Sequence, residues 1–354
     1  MGKILIANWC KSEEMLGGQE SFFGQLSRDL DARMITYTMA SNILKSYAFM
    51  NSFNILYRSY VMDKYLRWYE KLFDLDLIIK NSAIEGFTDL STPQIIVFQD
   101  PYYSILKEML NRETFIYNPE HHLGCIELMR RQSRKSNTTT VAVSNFMKEE
   151  MRLCDIECDK VIEEGIDVER FKPSMNKDQV KMSHGLPLDK KIGIAITKFI
   201  PQKGWGILSK LINKFKDIHW IVVLTEKAEI KIKSKNVTIL QQVLPDVMPH
   251  MYNCADFLVN TSPVESFGLS ALEAASCGLP IITYKTGWAW DWFDSKLGIR
   301  VDKWDYESFG MAVEEIKKSD FSKFSPRRVV IERGFTAERM SKDWKAFVEN
   351  LIKK

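Results

Sequence analysis

The stretch PVESFGLSALEAASCGLP, residues 263–280, carries two acids, Glu265 and Glu273, in a segment otherwise rich in apolar and small residues. The run before it, ADFLVNTS (255–262), is short and apolar and predicts a buried strand. SALEAAS (270–276) combines small residues with good helix formers, and Gly278 followed by Pro280 predicts the stop. PIITYK (280–285) predicts a further strand. The unit reads strand, loop, helix, strand. Glu265 falls in the loop ahead of Gly268, and Glu273 falls about one turn into the helix, roughly 7 Å along at ~1.5 Å per residue. A loop-to-helix junction offers free backbone N–H groups and a positive dipole end, which suits phosphate. A carboxylate one turn beyond suits a ribose diol, and one ahead of the junction suits whatever the diphosphate carries. The ligand this implies is a nucleoside-diphosphate sugar. The competing reading makes Glu273 a cap or an exposed residue on a surface helix.

The chain has 354 residues, long for one core, so two domains are expected. Its formal net charge of +3 gives no nucleic-acid signature. Six cysteines (10, 125, 154, 158, 254 and 277) follow no disulfide-framework spacing, and no His or second Cys pair completes a zinc set, so no metal site is expected. The opening MGKILIANW enters a strand rather than a leader, and no run approaches the ~18–20 apolar residues of a membrane span. The expectation is a cytoplasmic protein with reduced thiols.

Two similar halves are legible. The first alternates KILIAN, a helix after Gly17-Gly18, RMITYT, a long helix from about Asn42 to Phe73, DLIIKN, QIIVFQ, FIYNP, a helix, TVAVS, a helix and KVIEEG. The second runs KIGIAIT, a helix from about Gly204, HWIVVLTE, VTILQQ, a helix near Met248, DFLVNT, the helix of the two-acid segment, PIITYK and terminal helices. Apolar strands alternating with helices predict α/β domains whose parallel sheets are covered on both faces. KPSMNKDQVKMSHGLPLDKK (172–191) follows neither period and reads as the linker. The domains expected are 1–172 and 173–337, with a last helix, about 338–354, packing back on the first.

The ordered set resembles the GT-B glycosyltransferases of the retaining family 4 type. PVESFGLSALEAASCGLPII is similar to that family's E-x7-E segment. GGQESFFGQL (17–26) is similar to its glycine-rich first loop, and VAVSNFMKEEM (141–151) to the strand and helix before the hinge. IEEGIDVERFKP (162–173) is similar to the passage into the linker, with Glu164 where Asn is usual, and ITKFIPQKGWGILSKLI (196–212) to the phosphate loop and helix. The resemblance implies a GT-B fold, two doubly wound Rossmann-like domains facing a central cleft. The first would be the acceptor side and the second the donor side. It implies retaining transfer of a sugar from a UDP- or GDP-sugar, with no metal and no cofactor required. The acceptor, whether glycan, lipid-linked or a small molecule, stays open. Lys198 and Lys203 match the family's two basic phosphate positions, with Lys198 where Arg is common. Glu265 would contact the transferred sugar and Glu273 the ribose. Phe267, Gly268 and Leu269 would offer backbone N–H groups, and Gly17 and Gly18 would allow close approach from the first domain.

One departure concerns QIIVFQDPYY, where Gln99 stands in the place of the family's usual His, followed by Asp100. Gln can hydrogen-bond a hydroxyl but cannot carry a proton. Asp100 is an acceptor contact or a turn former, and His121 and His122 are substitutes or incidental. A second departure is TGWAWDWFD (286–294), whose alternating Trp288, Trp290 and Trp292 would share one face of an extended segment, as packing or as a sugar platform. On YRSYVMDKYLRWYEKLF (57–73), Tyr57, Val61, Tyr65, Trp68 and Leu72 form one helical stripe flanked by Arg58, Lys64, Arg67 and Lys71. Such a stripe packs on a sheet or touches an anionic membrane peripherally. MRRQSRKS (129–136) adds a basic face. Other classes remain: a catalytically weak nucleotide-sugar-binding protein, or an epimerase or phosphorylase on the same fold.

Overall fold

A computed structural model describes residues 3–8, 18–37, 39–40, 55–82, 90–110, 119–174, 176–200, 203–229 and 234–353. Gly17, residues 42–54 of the long helix and most of the strand expected at 115–119 lie outside this set, as do the side chains of Tyr57, Arg58 and His121. The chain divides into two compact units, Met1–Glu163 with Met340–Lys354, and Glu164–Arg339.

The first unit is built on a six-stranded, all-parallel sheet ordered β2-β1-β3-β4-β5-β6. These strands are β1 Ile4–Asn8, β2 Arg33–Thr36, β3 Leu77–Asn81, β4 Gln94–Phe98, β5 Thr138–Ala142 and β6 Lys160–Val161. Every residue of β1, β3 and β4 is buried, the mark of strands covered on both faces. The described helices are α1 Gly18–Asp29, α2 Ile55–Leu72, α3 Tyr102–Leu110, α4 Pro119–Ser133 and α5 Asn145–Leu153. The chain end also belongs here: Trp344 is fully buried and meets Phe22 of α1 edge-on at 6.0 Å.

The second unit repeats the plan, with strand order β12-β11-β10-β7-β8-β9, again all parallel. Its strands are β7 Ile192–Thr197, β8 His219–Leu224, β9 Val237–Gln241, β10 Phe257–Asn260, β11 Ile281–Tyr284 and β12 Gly298–Val301. Its helices are α6 Lys177–Ser183, α7 Trp205–Lys214, α8 Met248–Asn253, α9 Leu269–Ser276, α10 Tyr306–Lys318 and α11 Pro326–Arg333. Helix α12, Ala337–Ile352, closes the chain. One side of the core gathers Leu208, Leu211 and Ile212 of α7, Trp220 and Val222 of β8, and Phe309, Val313 and Ile316 of α10.

Four expectations are corrected. The boundary falls after Glu163, not at 172, because Ile166 bridges Thr336 and a Cβ on Gly165 would lie 2.2 Å from the Thr336 carbonyl oxygen. Arg327 then ties the segment down, donating to the carbonyls of Val168, Phe171 and Ser276. The stretch 172–191 is not a free linker. Asn176 caps α6, whose buried Lys181 pairs with Asp256 at 3.0 Å, and Asp256 accepts from the Ile192 N–H at the start of β7. Edge strand β12 escapes the sequence reading, since its short GIRV has only two aliphatic side chains. The stripe on α2 is also displaced. Val61, Met62, Tyr65, Leu66 and Tyr69 face the core, while Trp68 and Leu72 are 48% and 56% exposed beside Lys64, Arg67 and Lys71.

Candidate functional site

In the second sheet the strand order reverses between β7 and β10, the switch point whose crevice at the carboxyl ends of the strands is the usual ligand position of a doubly wound sheet. Lys198 and Lys203 lie on the loop after β7, and Glu265 to Leu269 on the loop after β10. The two loops are locked together. Gly204, with φ +72°, sits so close that a Cβ there would fall 2.0 Å from the Thr261 carbonyl oxygen. The Lys203 carbonyl accepts from the hydroxyls of both Thr197 and Thr261, each at 3.3 Å. Trp304 Nε1 donates to the Thr261 carbonyl at 2.8 Å. With its backbone held, the Lys203 side chain reaches Glu265, and Nζ lies 2.9 Å from each carboxylate oxygen.

The loop carrying Glu265 is fixed from the far side by the segment after β11. Thr286, buried, accepts the Glu265 N–H through Oγ1 at 2.9 Å. Gly287, φ +57°, lets the backbones close, and the Trp288 N–H donates to the Phe267 carbonyl at 3.0 Å while its Nε1 donates to that of Gly268 at 3.3 Å. Gly268, φ +103°, is the residue ahead of α9. The first-turn N–H groups of α9 therefore point out of a braced junction, with Leu269 at its head and Phe267 buried beneath.

Glu273 is half-buried one turn in. Tyr252, fully buried on α8, donates its hydroxyl to Glu273 Oε2 at 2.7 Å. Burial pushes the Glu273 carboxyl above the usual carboxylate range, against the lowering pull of the Tyr252 hydroxyl and the Arg170 charge. The surface-helix reading of Glu273 is not what this environment shows.

The remaining candidates belong to the first unit. Gln99 is buried at the end of β4, and Asp100 follows at the head of α3. Glu150 of α5 braces that helix, accepting the Ser104 N–H at 3.0 Å and the Ser104 hydroxyl. Its carboxyl is raised by burial. His122 is buried and meets Tyr102 edge-on at 5.6 Å, inside a packed cluster. Gly18 opens α1 and is exposed.

The structure brings Lys203, Glu265, Phe267, Gly268 and Leu269 into one crevice edge, with Glu273 on the helix that leaves it. The three tryptophans do not share a face: 287–289 is a 3-10 turn, not extended chain, so Trp288 is buried and Trp290 exposed. Trp288 packs against Trp292, Phe293 and Phe335. Thr286, Trp304, Tyr252 and Arg170 are supports that sequence reasoning misses. Only the distance between Glu273 and a tyrosine 21 residues earlier could have flagged Tyr252, and the sequence does not give it. Among the described residues no group of three or more His, Cys, Asp or Glu could hold a metal, and no helix is long and apolar enough to cross a membrane.

Two Rossmann-like units of this topology define the GT-B class of fold. Solved structures agree. Sucrose-phosphate synthase from Thermosynechococcus elongatus superposes with a TM-score of 0.83 at 15% identity, covering 100% of both chains. Anabaena HepE in complex with UDP and glucose gives 0.73 at 15% identity, over 99% of this chain and 100% of that one. In sequence, residues 176–335 match the family described as glycosyl transferases group 1. This matched segment makes up nearly all of the second unit. D-inositol 3-phosphate glycosyltransferase of Mycolicibacterium smegmatis is 28% identical over 140 residues, 36% of this chain and 32% of that protein. Its counterpart in Acidothermus cellulolyticus is 24% identical over 237 residues, 59% of this chain and 51% of that protein. The chain thus spans about a third to a half of the curated relatives it matches.

Proposed function

We propose that the protein is a retaining glycosyltransferase that moves a sugar from a nucleoside-diphosphate sugar to an acceptor hydroxyl. The observation that carries this reading is the braced junction of Lys203, Glu265 and the α9 N-terminus at the switch point of the second sheet. It lies within the segment of the glycosyl transferases group 1 family. The donor is a UDP- or GDP-sugar, in keeping with the UDP and glucose held by the Anabaena protein. The second unit holds the donor and the first takes the acceptor, with Gly17, Gly18, Gln99 and Asp100 on the acceptor side.

Lys198, Lys203 and the first-turn N–H groups of α9 neutralise the diphosphate without requiring a metal. Glu273 takes the ribose hydroxyls and Glu265 those of the sugar. The bond from the anomeric carbon to the phosphate oxygen breaks as the acceptor oxygen bonds to the same face. The acceptor proton passes to the leaving phosphate oxygen, so Gln99 need carry none. The reading extends to the cytoplasmic face of a membrane, where exposed Trp68 and Leu72 with Lys64, Arg67 and Lys71 suit peripheral contact with anionic lipid.

A second reading, a nucleotide-sugar-binding protein of weak activity, is favoured by Gln99 in the place of the family's His. Incubation with a panel of donors radiolabelled in the sugar, with and without an acceptor extract, separates the two. Acceptor-dependent transfer supports the enzyme, and tight binding with no sugar released from any donor overturns it.

A further inference from the structure

We propose that Tyr252 is a positioning residue for Glu273, holding one carboxylate oxygen so that the other faces the ribose diol; this rests on the ribose assignment above. The hydroxyl donates to Oε2 at 2.7 Å, which leaves Oε1 as the free acceptor edge. The tyrosine has no freedom to turn away. It is fully buried, and Phe171 meets its ring edge-on at 6.0 Å. The next residue, Asn253, clamps the helix end, donating to the carbonyls of Lys172 and Pro249 and accepting from the Ser174 N–H. A glutamate reaching from α9 would otherwise sample several rotamers, and freezing it before the ligand arrives lowers the entropy lost on binding.

The same contact governs protonation. The groups acting on Glu273 are Tyr252 from α8, Arg170 from the segment before α6, and Cys277 one turn along α9. The Cys277 thiol is pushed up to about 12 and stays neutral wherever a carboxylate titrates. Tyr252 is therefore the removable neutral group that favours the carboxylate. Without its O–H the Glu273 carboxyl rises further, and nucleotide affinity is lost at a higher pH as the solution is acidified.

The test measures binding of UDP and GDP, and of their 2′,3′-dideoxy analogues, by calorimetry across pH 4–8. The proteins are wild type, Tyr252→Phe, Glu273→Gln and the double variant. In Tyr252→Phe the preference for the ribo form should fall about two- to tenfold, the size of one hydrogen bond, and the acid limb should move to higher pH. In Glu273→Gln the preference and the acid limb should both disappear. The double variant should match Glu273→Gln, because Tyr252 acts only through the carboxylate. Additive losses, or a Tyr252→Phe profile identical to wild type, would overturn the positioning role while leaving the ribose assignment standing. A full ribo preference in Glu273→Gln, or no binding of either nucleotide, would sink the ribose assignment and this proposal with it. If Tyr252→Phe does not fold, Phe171→Leu, which removes the edge-on ring that fixes Tyr252, supplies the same comparison: a lower ribo preference supports the role and an unchanged one overturns it.

Discussion

Lys203 Nζ stands 2.9 Å from both carboxylate oxygens of Glu265, across 62 residues of sequence. The pair joins the two loops that leave the sheet at its switch point, and the two side chains are 30% and 19% exposed. On the proposed donor site, a diphosphate entering the crevice would compete with Glu265 for the Lys203 charge. Glu265→Gln should free that charge and tighten binding of the bare nucleoside diphosphate by a few-fold, the scale of a partly exposed ion pair at ~0.2–1 kcal/mol. Turnover of the whole donor should fall, since the sugar loses its carboxylate. Calorimetry with UDP and GDP beside a steady-state assay reads both, and weaker nucleotide binding in Glu265→Gln would contradict the competition.

Glu273→Gln should separate stability from function. Its carboxyl is raised by burial, so in the folded protein the ionised form is disfavoured. A group raised in this way supports folding below its unfolded pKa, and that support is lost as pH rises through the folded value. At neutral pH the charge is a burden on the fold. The glutamine keeps an acceptor for the Tyr252 hydroxyl and should stabilise the protein by about 0.5–2 kcal/mol at pH 7, with the gain vanishing towards pH 4. Nucleotide affinity should drop by about 1.5–3 kcal/mol, the size of a hydrogen bond to a charged group. Thermal melts at pH 4 and 7 check the first half and calorimetry the second.

The glycines around the crevice differ in what they protect. A Cβ on Gly204 would collide with backbone at 2.0 Å, while one on Gly268 would find only ordinary contacts, the nearest at 3.4 Å. Gly268→Ala should therefore cost about 1–3 kcal/mol, from its positive φ alone. Gly204→Ala should cost more and loosen the Lys203–Glu265 contact. Gly206, inside α7, is the control: a Cβ there would meet nothing within 4 Å, and its change to Ala should stabilise by about 0.4–1 kcal/mol. Denaturant melts rank the three, and a Gly204→Ala protein as stable as Gly268→Ala would refute the close-approach argument.

The periodic parts of the molecule were legible in the sequence because burial on both faces writes itself as apolar runs, as in LIIKN, QIIVF and HWIVVL. The crevice was legible in its local grammar, since Gly268 and the run SALEAAS place a helix start beside Glu265. What escaped were relations between distant segments. Nothing near Tyr252 says that its hydroxyl meets Glu273, and nothing in 172–191 says that Lys181 meets Asp256 across 75 residues. The tryptophans misled for a local reason. Gly287 turns the chain with φ +57°, so alternation in TGWAWDWFD is not alternation across a strand. Helix α2 misled because its apolar residues outnumber the sites the core can cover, leaving Trp68 and Leu72 outside.

Gln99 is buried at the end of β4 where the family resemblance implies a His, and an amide cannot shuttle a proton. If the leaving phosphate takes the acceptor proton, Gln99 only orients a sugar hydroxyl. Gln99→Ala should then slow turnover by about 1–2 kcal/mol in barrier, the loss of one neutral hydrogen bond with its buried partner. On the proposed mechanism Lys203→Ala removes a charge aimed at charge that develops in the transition state, and should lower kcat by about 100-fold or more. The pH profile of kcat should also be the same in Gln99→Ala and wild type, because no titrating group is lost. Product NMR should show the anomeric configuration of the donor in both variants. An inverted product would refute the same-face mechanism. Retention with Gln99→Ala more damaging than Lys203→Ala would move the chief catalytic burden from the diphosphate clamp to the first unit.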